Sequence, residues 1–315
     1  MKIVLLESLG VSEEVLRPYV EKLEEKGHTF EAFAKSTDQD TLVQECEGAD
    51  AAIIANMPFP DAVVERCKSL KFIDVAFTGV DHVGLAAAKN AGIKVSNASG
   101  YSTEAVAELA LGMALSLFRN VPQVEDRCRK AGTKDGLVGR QIQGKTVGIV
   151  GYGAIGSRTA ELFHYCGCDI IAYTPHPKDS APDYVRFVSL EEVMAESDIV
   201  SLHCPQNAST IGMINEKMIG LMKKDAILIN CARGPVVDYS ALANALNKGE
   251  IGGAGIDVFE KEPPIPEDHP LFSTPNTLVT PHVAFATKES MQLRAQIVFD
   301  NLDKWMAGGQ INVIL

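Results

Sequence analysis

Lys145-Thr146-Val147-Gly148-Ile149-Val150-Gly151-Tyr152-Gly153-Ala154-Ile155-Gly156 is the stretch whose reading decides the fold. The apolar run 147–150 leads straight into a G-x-G-x-x-G turn. An amphipathic segment carrying Ala160, Leu162 and Phe163 follows. Strand, glycine turn and helix start form the context in which this pattern cradles the pyrophosphate of a dinucleotide. Gly151 permits the tight turn, Gly153 lets the pyrophosphate approach the backbone, and Gly156 lets helix and strand pack closely. The N–H groups of Ala154, Ile155 and Gly156 at the helix start then face the anion. The stretch begins only at Lys145, so another unit is built first.

Upstream, residues 2–6, 30–34, 51–55, 72–75 and 94–96 are short apolar strand candidates. Helical patterns lie between them at 13–26, 39–46, 61–67 and 83–90. This alternation predicts a parallel sheet with helices on both faces, similar to a flavodoxin-like unit. Its first turn, Glu7-Ser8-Leu9-Gly10, lacks the three glycines and is not expected to hold a nucleotide. Ser102 reads as the cap of a long helix carrying Val106, Leu109, Met113, Leu117 and Phe118, which Asn120 and Pro122 end or bend. Residues 127–140 read as an exposed connector. After the glycine turn come strands at 170–173, 186–188, 199–203, 226–230, 255–258 and 277–280. A last helix spans 287–308, and 311–315 is expected to be a short strand.

The predicted class is α/β, with two doubly wound parallel-sheet domains. A central Rossmann cofactor domain, 100–285, is inserted into a flavodoxin-like substrate-binding domain made of 1–99 and 286–315. The chain has 315 residues with 29 Lys and Arg against 41 Asp and Glu, a formal charge of −12. That balance disfavours nucleic acid and anionic membranes as partners. No apolar run approaches the ~20 residues of a membrane span, and the N-terminus reads as a strand, not a signal peptide. A cytoplasmic location is the expectation. The seven cysteines include no C-x-x-C pair, and neither a disulfide framework nor a metal site is expected.

Three polar residues follow strands on one rim: Arg233 after 226–230, Glu262 after 255–258 and His282 after 277–280. In an open α/β sheet, ligands bind outside the carboxyl ends of the strands. A guanidinium can fork onto a carboxylate and polarise the adjacent carbonyl. An imidazolium can give a proton to the carbonyl oxygen as hydride arrives at carbon, and a nearby carboxylate favours that charged ring. The set suits hydride transfer between a dinucleotide and a small 2-oxo or 2-hydroxy acid.

With these motifs in order, the chain resembles the D-isomer-specific 2-hydroxyacid dehydrogenases. The resemblance is carried by 147–156, Leu202-His203-Cys204-Pro205, 230–238, 253–260 and Thr280-Pro281-His282-Val283. It extends to 77–81 and 97–104, covering nearly the whole chain. It implies Arg233, Glu262 and His282 as catalytic residues. It implies a loop at Thr78, Gly79 and Val80 whose N–H groups hold the substrate carboxylate, with Tyr101 facing the substrate. It also implies cofactor contacts at Asp257, beside the nicotinamide, and at His203, Cys204, Pro205, Cys231 and Ala232. Cys231 is then a packing residue rather than a nucleophile. A homodimer through the cofactor domain, at 103–140, is a further implication.

Two positions depart from the pattern. Many members carry an acidic residue on the adenosine ribose where this chain has Thr174, followed by His176 and Lys178. Threonine does not repel a 2′-phosphate, yet the loop has no arginine to bind one, so NAD and NADP are both open. Phe285 either projects into the substrate pocket and sets its size or packs in the hinge. The two chain crossings near 100 and 285 are expected to hinge a cleft that closes over the substrate. A non-enzymatic, corepressor-like dinucleotide sensor of the same fold is the alternative function; the full Arg–Glu–His set favours the enzyme.

Overall fold

The computed structural model describes residues 1–177, 180–262 and 264–315. The chain divides into two compact units, Met1–Ser102 with Ala286–Leu315, and Thr103–Phe285. Elements are numbered along the chain.

The first unit holds β1 (Lys2–Leu5), β2 (Thr29–Ala32), β3 (Ala51–Ile54), β4 (Phe72–Val75) and β5 (Lys94–Asn97). They form one parallel sheet in the order β2-β1-β3-β4-β5. Every residue of the central strands β3 and β4 is buried, Asp74 of β4 included, as a sheet with helices on both faces requires. Helices α1 (Glu13–Glu25), α2 (Gln39–Glu45), α3 (Asp61–Val64) and α4 (Leu85–Ala91) connect them. The last helix, α11 (Lys288–Met306), returns to this unit, capped by a Thr287–Ser290 box. Its Phe299 stacks on Tyr19 at 4.6 Å and its Trp305 on Phe72 at 4.9 Å. Such aromatic pairs add ~0.5–1.5 kcal/mol each to area burial. The strand expected at 311–315 is only an isolated antiparallel bridge, Ser96 to Val313. The tail bends too soon to continue the ladder, and it is tied to β5 by Asn97 N–H to the Asn312 carbonyl and by Ile314 N–H to Val95.

The second unit opens with α5 (Thr103–Phe118) and α6 (Val121–Arg129). Asn120 between them has φ 52°, the left-handed region, which ends α5 outright. Pro122 sits in the first turn of α6, where its missing N–H breaks no helical bond. The exposed connector expected from residue 127 is therefore helical as far as Arg129. Then come β6 (Thr146–Val150), α7 (Ala154–Tyr165), β7 (Asp169–Tyr173), β8 (Val185–Phe187), α8 (Leu190–Glu196), β9 (Ile199–Leu202) and α9 (Glu216–Ile219). β10 (Ile227–Asn230), α10 (Tyr239–Lys248), β11 (Gly253–Ile256) and β12 (Thr277–Val279) complete the unit. The sheet order is β12-β11-β10-β9-β6-β7-β8, with all pairs parallel. From β6 the chain runs outward one way to β8, then returns to β9 and runs the other way. The crevice between β6 and β9 is thus the topological switch point, where doubly wound sheets bind ligands.

Candidate active site

The glycine turn stands at this switch point, and its glycines have separable reasons. Gly151 has φ +96°, and a Cβ there would lie 2.7 Å from the backbone of His203 and Cys204 on the neighbouring β9 loop. A Cβ on Gly156 would meet the Gly151 carbonyl oxygen at 2.0 Å. Both are demanded by the fold itself. Gly153 is different: its φ of −85° is ordinary and an added Cβ would meet no atom within 4 Å. The protein does not need glycine there, and the open space lies at the N-terminus of α7, whose first N–H groups lack helical acceptors. Across the crevice, the His203 Nδ1 is buried without a hydrogen-bond partner, while its Nε2 is 2.8 Å from Ser201 Oγ. Open space over Gly153, helix N–H groups and an orphaned ring nitrogen fit a dinucleotide along this edge.

Arg233, Glu262 and His282 leave the carboxyl ends of three adjacent strands, β10, β11 and β12. His282 Nδ1 lies 2.6 Å from Glu262 Oε1, and Glu262 Oε2 accepts from the Phe259 N–H at 3.1 Å. The carboxylate on Nδ1 fixes the orientation of the ring. The imidazole and Phe285 rings make a T-shaped contact, with centroids 5.5 Å apart and planes at 85°. His282 itself has φ 54°, a left-handed conformation costly for a non-glycine residue. Asp257 holds it there. The Asp257 carbonyl accepts from His282 N–H at 2.7 Å. Its carboxylate accepts from Thr280 Oγ1 at 2.5 Å and from the Val283 and Ala284 N–H groups, each at 2.9 Å. Burial pushes the Asp257 pKa up, and those three donors oppose the shift.

The profile of the D-isomer specific 2-hydroxyacid dehydrogenase NAD-binding domain matches residues 111–284. The chain belongs to the D-isomer-specific 2-hydroxyacid dehydrogenase family. It is 36% identical to a glycerate dehydrogenase of Methylorubrum extorquens over 300 residues, covering 91% of this chain and 92% of the relative. It is 32% identical to a hydroxypyruvate reductase of Blautia hydrogenotrophica, covering 88% of each. Among solved structures, an acyclic imino acid reductase in complex with NADPH and D-Arg superposes with a TM-score of 0.92 at 29% identity, over all of both chains. The chain is accordingly an NAD(P)-dependent oxidoreductase that moves hydride between the cofactor and a 2-oxo acid.

The other residues that family resemblance points to lie as follows. Thr174 follows β7 and accepts from the His176 N–H at 3.5 Å; Lys178 lies outside the described residues. His203, Cys204 and Pro205 follow β9. Cys231 and Ala232 are buried after β10, and Cys231 Sγ lies 4.0 Å from Met113 Sδ. Burial pushes the Cys231 thiol well above its usual range and the Cys204 thiol up to about 11, so neither offers a thiolate at neutral pH. In the first unit, Thr78, Gly79 and Val80 form the loop after β4. Asn97 Nδ2 donates to the Thr78 carbonyl at 2.7 Å. Tyr101 is buried, 6.2 Å from the Phe77 ring, with the Arg294 guanidinium 5.8 Å above its own. Asn97 and the clamping role of Asp257 escape sequence reading, because each acts through partners at least 19 positions away in the chain. Among the described residues no cluster of His, Cys, Asp or Glu could hold a metal ion.

Proposed function

We propose that this dehydrogenase reduces small 2-oxo acids of the glyoxylate, hydroxypyruvate and pyruvate class to D-2-hydroxy acids, using Arg233, Glu262 and His282. The observation that carries the reading is the His282–Glu262 pair on the rim that also bears Arg233. Arg233 forks onto the substrate carboxylate and polarises the carbonyl. His282 Nε2 gives the carbonyl oxygen its proton, and Glu262 steadies the charged ring. N–H groups of Thr78, Gly79 and Val80 hold the carboxylate, and Tyr101 and Phe285 limit the side chain admitted. The curated names of the relatives, glycerate dehydrogenase and hydroxypyruvate reductase, support the substrate class.

The second unit is the cofactor domain in this reading. Gly151, Gly153, Ala154, Ile155 and Gly156 cradle the pyrophosphate, and Thr174 faces the adenosine ribose. His203, Cys204, Pro205, Cys231, Ala232 and Asp257 line the nicotinamide end, where the bound cofactor supplies the hydride. NADP stands beside NAD because Thr174 leaves a 2′-phosphate unopposed. The first unit is the acid-binding domain. A homodimer through 103–140 and a cytoplasmic location complete the reading. Among the described residues no helix is long and apolar enough to cross a membrane.

The test is a panel of glyoxylate, hydroxypyruvate and pyruvate, run with NADH and NADPH in parallel and followed by nicotinamide absorbance. Tight cofactor binding with no oxidation by any 2-oxo acid sinks the reading.

A further inference from the structure

Tyr239, at the start of α10, is 1% exposed and Asn230, at the end of β10, is fully buried. Neither belongs to the set that touches substrate or cofactor. Their polar atoms nevertheless meet the loops that carry that set. Asn230 Nδ2 donates to the Arg233 carbonyl at 3.0 Å and to the Tyr239 hydroxyl at 2.8 Å. Asn230 Oδ1 accepts from the Ala232 N–H at 3.0 Å. The Tyr239 hydroxyl donates in turn to the Val258 carbonyl at 2.6 Å. One residue further, the Phe259 N–H holds Glu262 Oε2, whose partner oxygen holds His282. Gly234 brings the two loops into direct backbone contact, since a Cβ there would fall 2.0 Å from the Phe259 carbonyl carbon. The chain of contacts runs from the Arg233 backbone through Asn230 and Tyr239 to the segment that places Glu262.

We propose that the Tyr239 hydroxyl, with Asn230, is a positioning device that holds the Arg233 loop and the Glu262 loop in register. The inference rests on the catalytic assignment of Arg233, Glu262 and His282 above. Buried hydrogen-bond networks of this kind define one geometry only while every member is satisfied. Removing the hydroxyl leaves the Val258 carbonyl without its donor and lets the two loops relax independently. A role confined to packing would be kept by phenylalanine, which fills the same volume.

The experiment compares wild type, Tyr239→Phe, Asn230→Ala, the double variant and His282→Ala, with glyoxylate and hydroxypyruvate as substrates. It records kcat, KM, cofactor Kd by fluorescence and Tm. Tyr239→Phe is expected to lower kcat about tenfold, with cofactor Kd unchanged within about twofold. Asn230→Ala should give a similar loss, and the double variant no further loss, because one chain is broken at two points. Wild-type kcat in Tyr239→Phe, even with a lowered Tm, overturns the proposal. Losses that multiply in the double variant overturn it too. If His282→Ala is inactive and Tyr239→Phe is not, only this inference fails. If His282→Ala keeps full turnover, the catalytic assignment and the inference fall together.

Discussion

His282 Nδ1 and Glu262 Oε1 lie 2.6 Å apart, although the loops after two different strands deliver them. The pair brings an imidazole and a carboxylate of the rim into direct contact. His282→Ala removes the proton donor and should lower kcat by about 10²–10⁴-fold, the usual worth of a placed general acid. Cofactor Kd should not change. Steady-state rates beside a fluorescence titration check both halves, and wild-type turnover would remove His282 from the mechanism. Glu262→Gln, which keeps the shape and loses the charge, should fall between wild type and His282→Ala.

The Asp257 carboxylate has a different task from that pair: it fastens the turn in which His282 takes its left-handed φ. Strain of that kind costs ~1–3 kcal/mol and persists only where surrounding bonds enforce it. Asp257→Asn forfeits one acceptor oxygen among three donors. Its kcat should drop about tenfold, and the 280–284 amides should exchange faster in hydrogen-exchange measurements. Unchanged exchange there would show that the clamp is dispensable.

The glycines of the turn should separate folding from binding. Gly156→Ala drives a Cβ into the Gly151 carbonyl and should lower Tm markedly. Gly153→Ala meets open space and should leave Tm near wild type, while weakening NADH binding by about tenfold or more through the lost approach of the pyrophosphate. If Gly153→Ala binds NADH as wild type does, the pyrophosphate does not lie over this turn.

His203 carries a prediction about pH. Burial pushes its pKa from the ordinary 6.5 down to about 3, so the folded protein keeps the ring neutral where the unfolded chain protonates it. Between pH 6.5 and 3 the unfolded state therefore binds the extra proton. The stability from the neutral ring is whole above pH 6.5 and is lost as pH falls through that window. The slope is at most about 1.4 kcal/mol per pH unit. Urea unfolding at stepped pH should show His203→Gln losing stability less steeply than wild type. Equal slopes would contradict a buried neutral His203.

Much of the molecule is legible in one dimension. Residues 147–156 contain strand, turn and helix start in sequence, so the doubly wound sheet and its switch-point edge follow from local pattern. Arg233, Glu262 and His282 could be picked out because each follows an apolar strand directly, and parallel strands bring their carboxyl ends to one rim. The segment 311–315 was less readable, since one bridge to β5 and a full strand look alike in five apolar and polar residues.

What the sequence by itself determined is the order of strands and helices, the glycine turn and the chemistry gathered at the strand ends. Only the tertiary structure decided which atoms meet. It turned Nδ1 of His282 toward Glu262 and committed Asp257 to the His282 turn. It also ran Asn230 and Tyr239 between two loops. The physical reason is range. Periodicity and turn propensity act over a few neighbouring residues, whereas Asp257 and Ala284 stand 27 positions apart and Tyr239 and Val258 stand 19 apart. Such pairs form only after the sheet has set the spacing and burial has removed water as a competing partner.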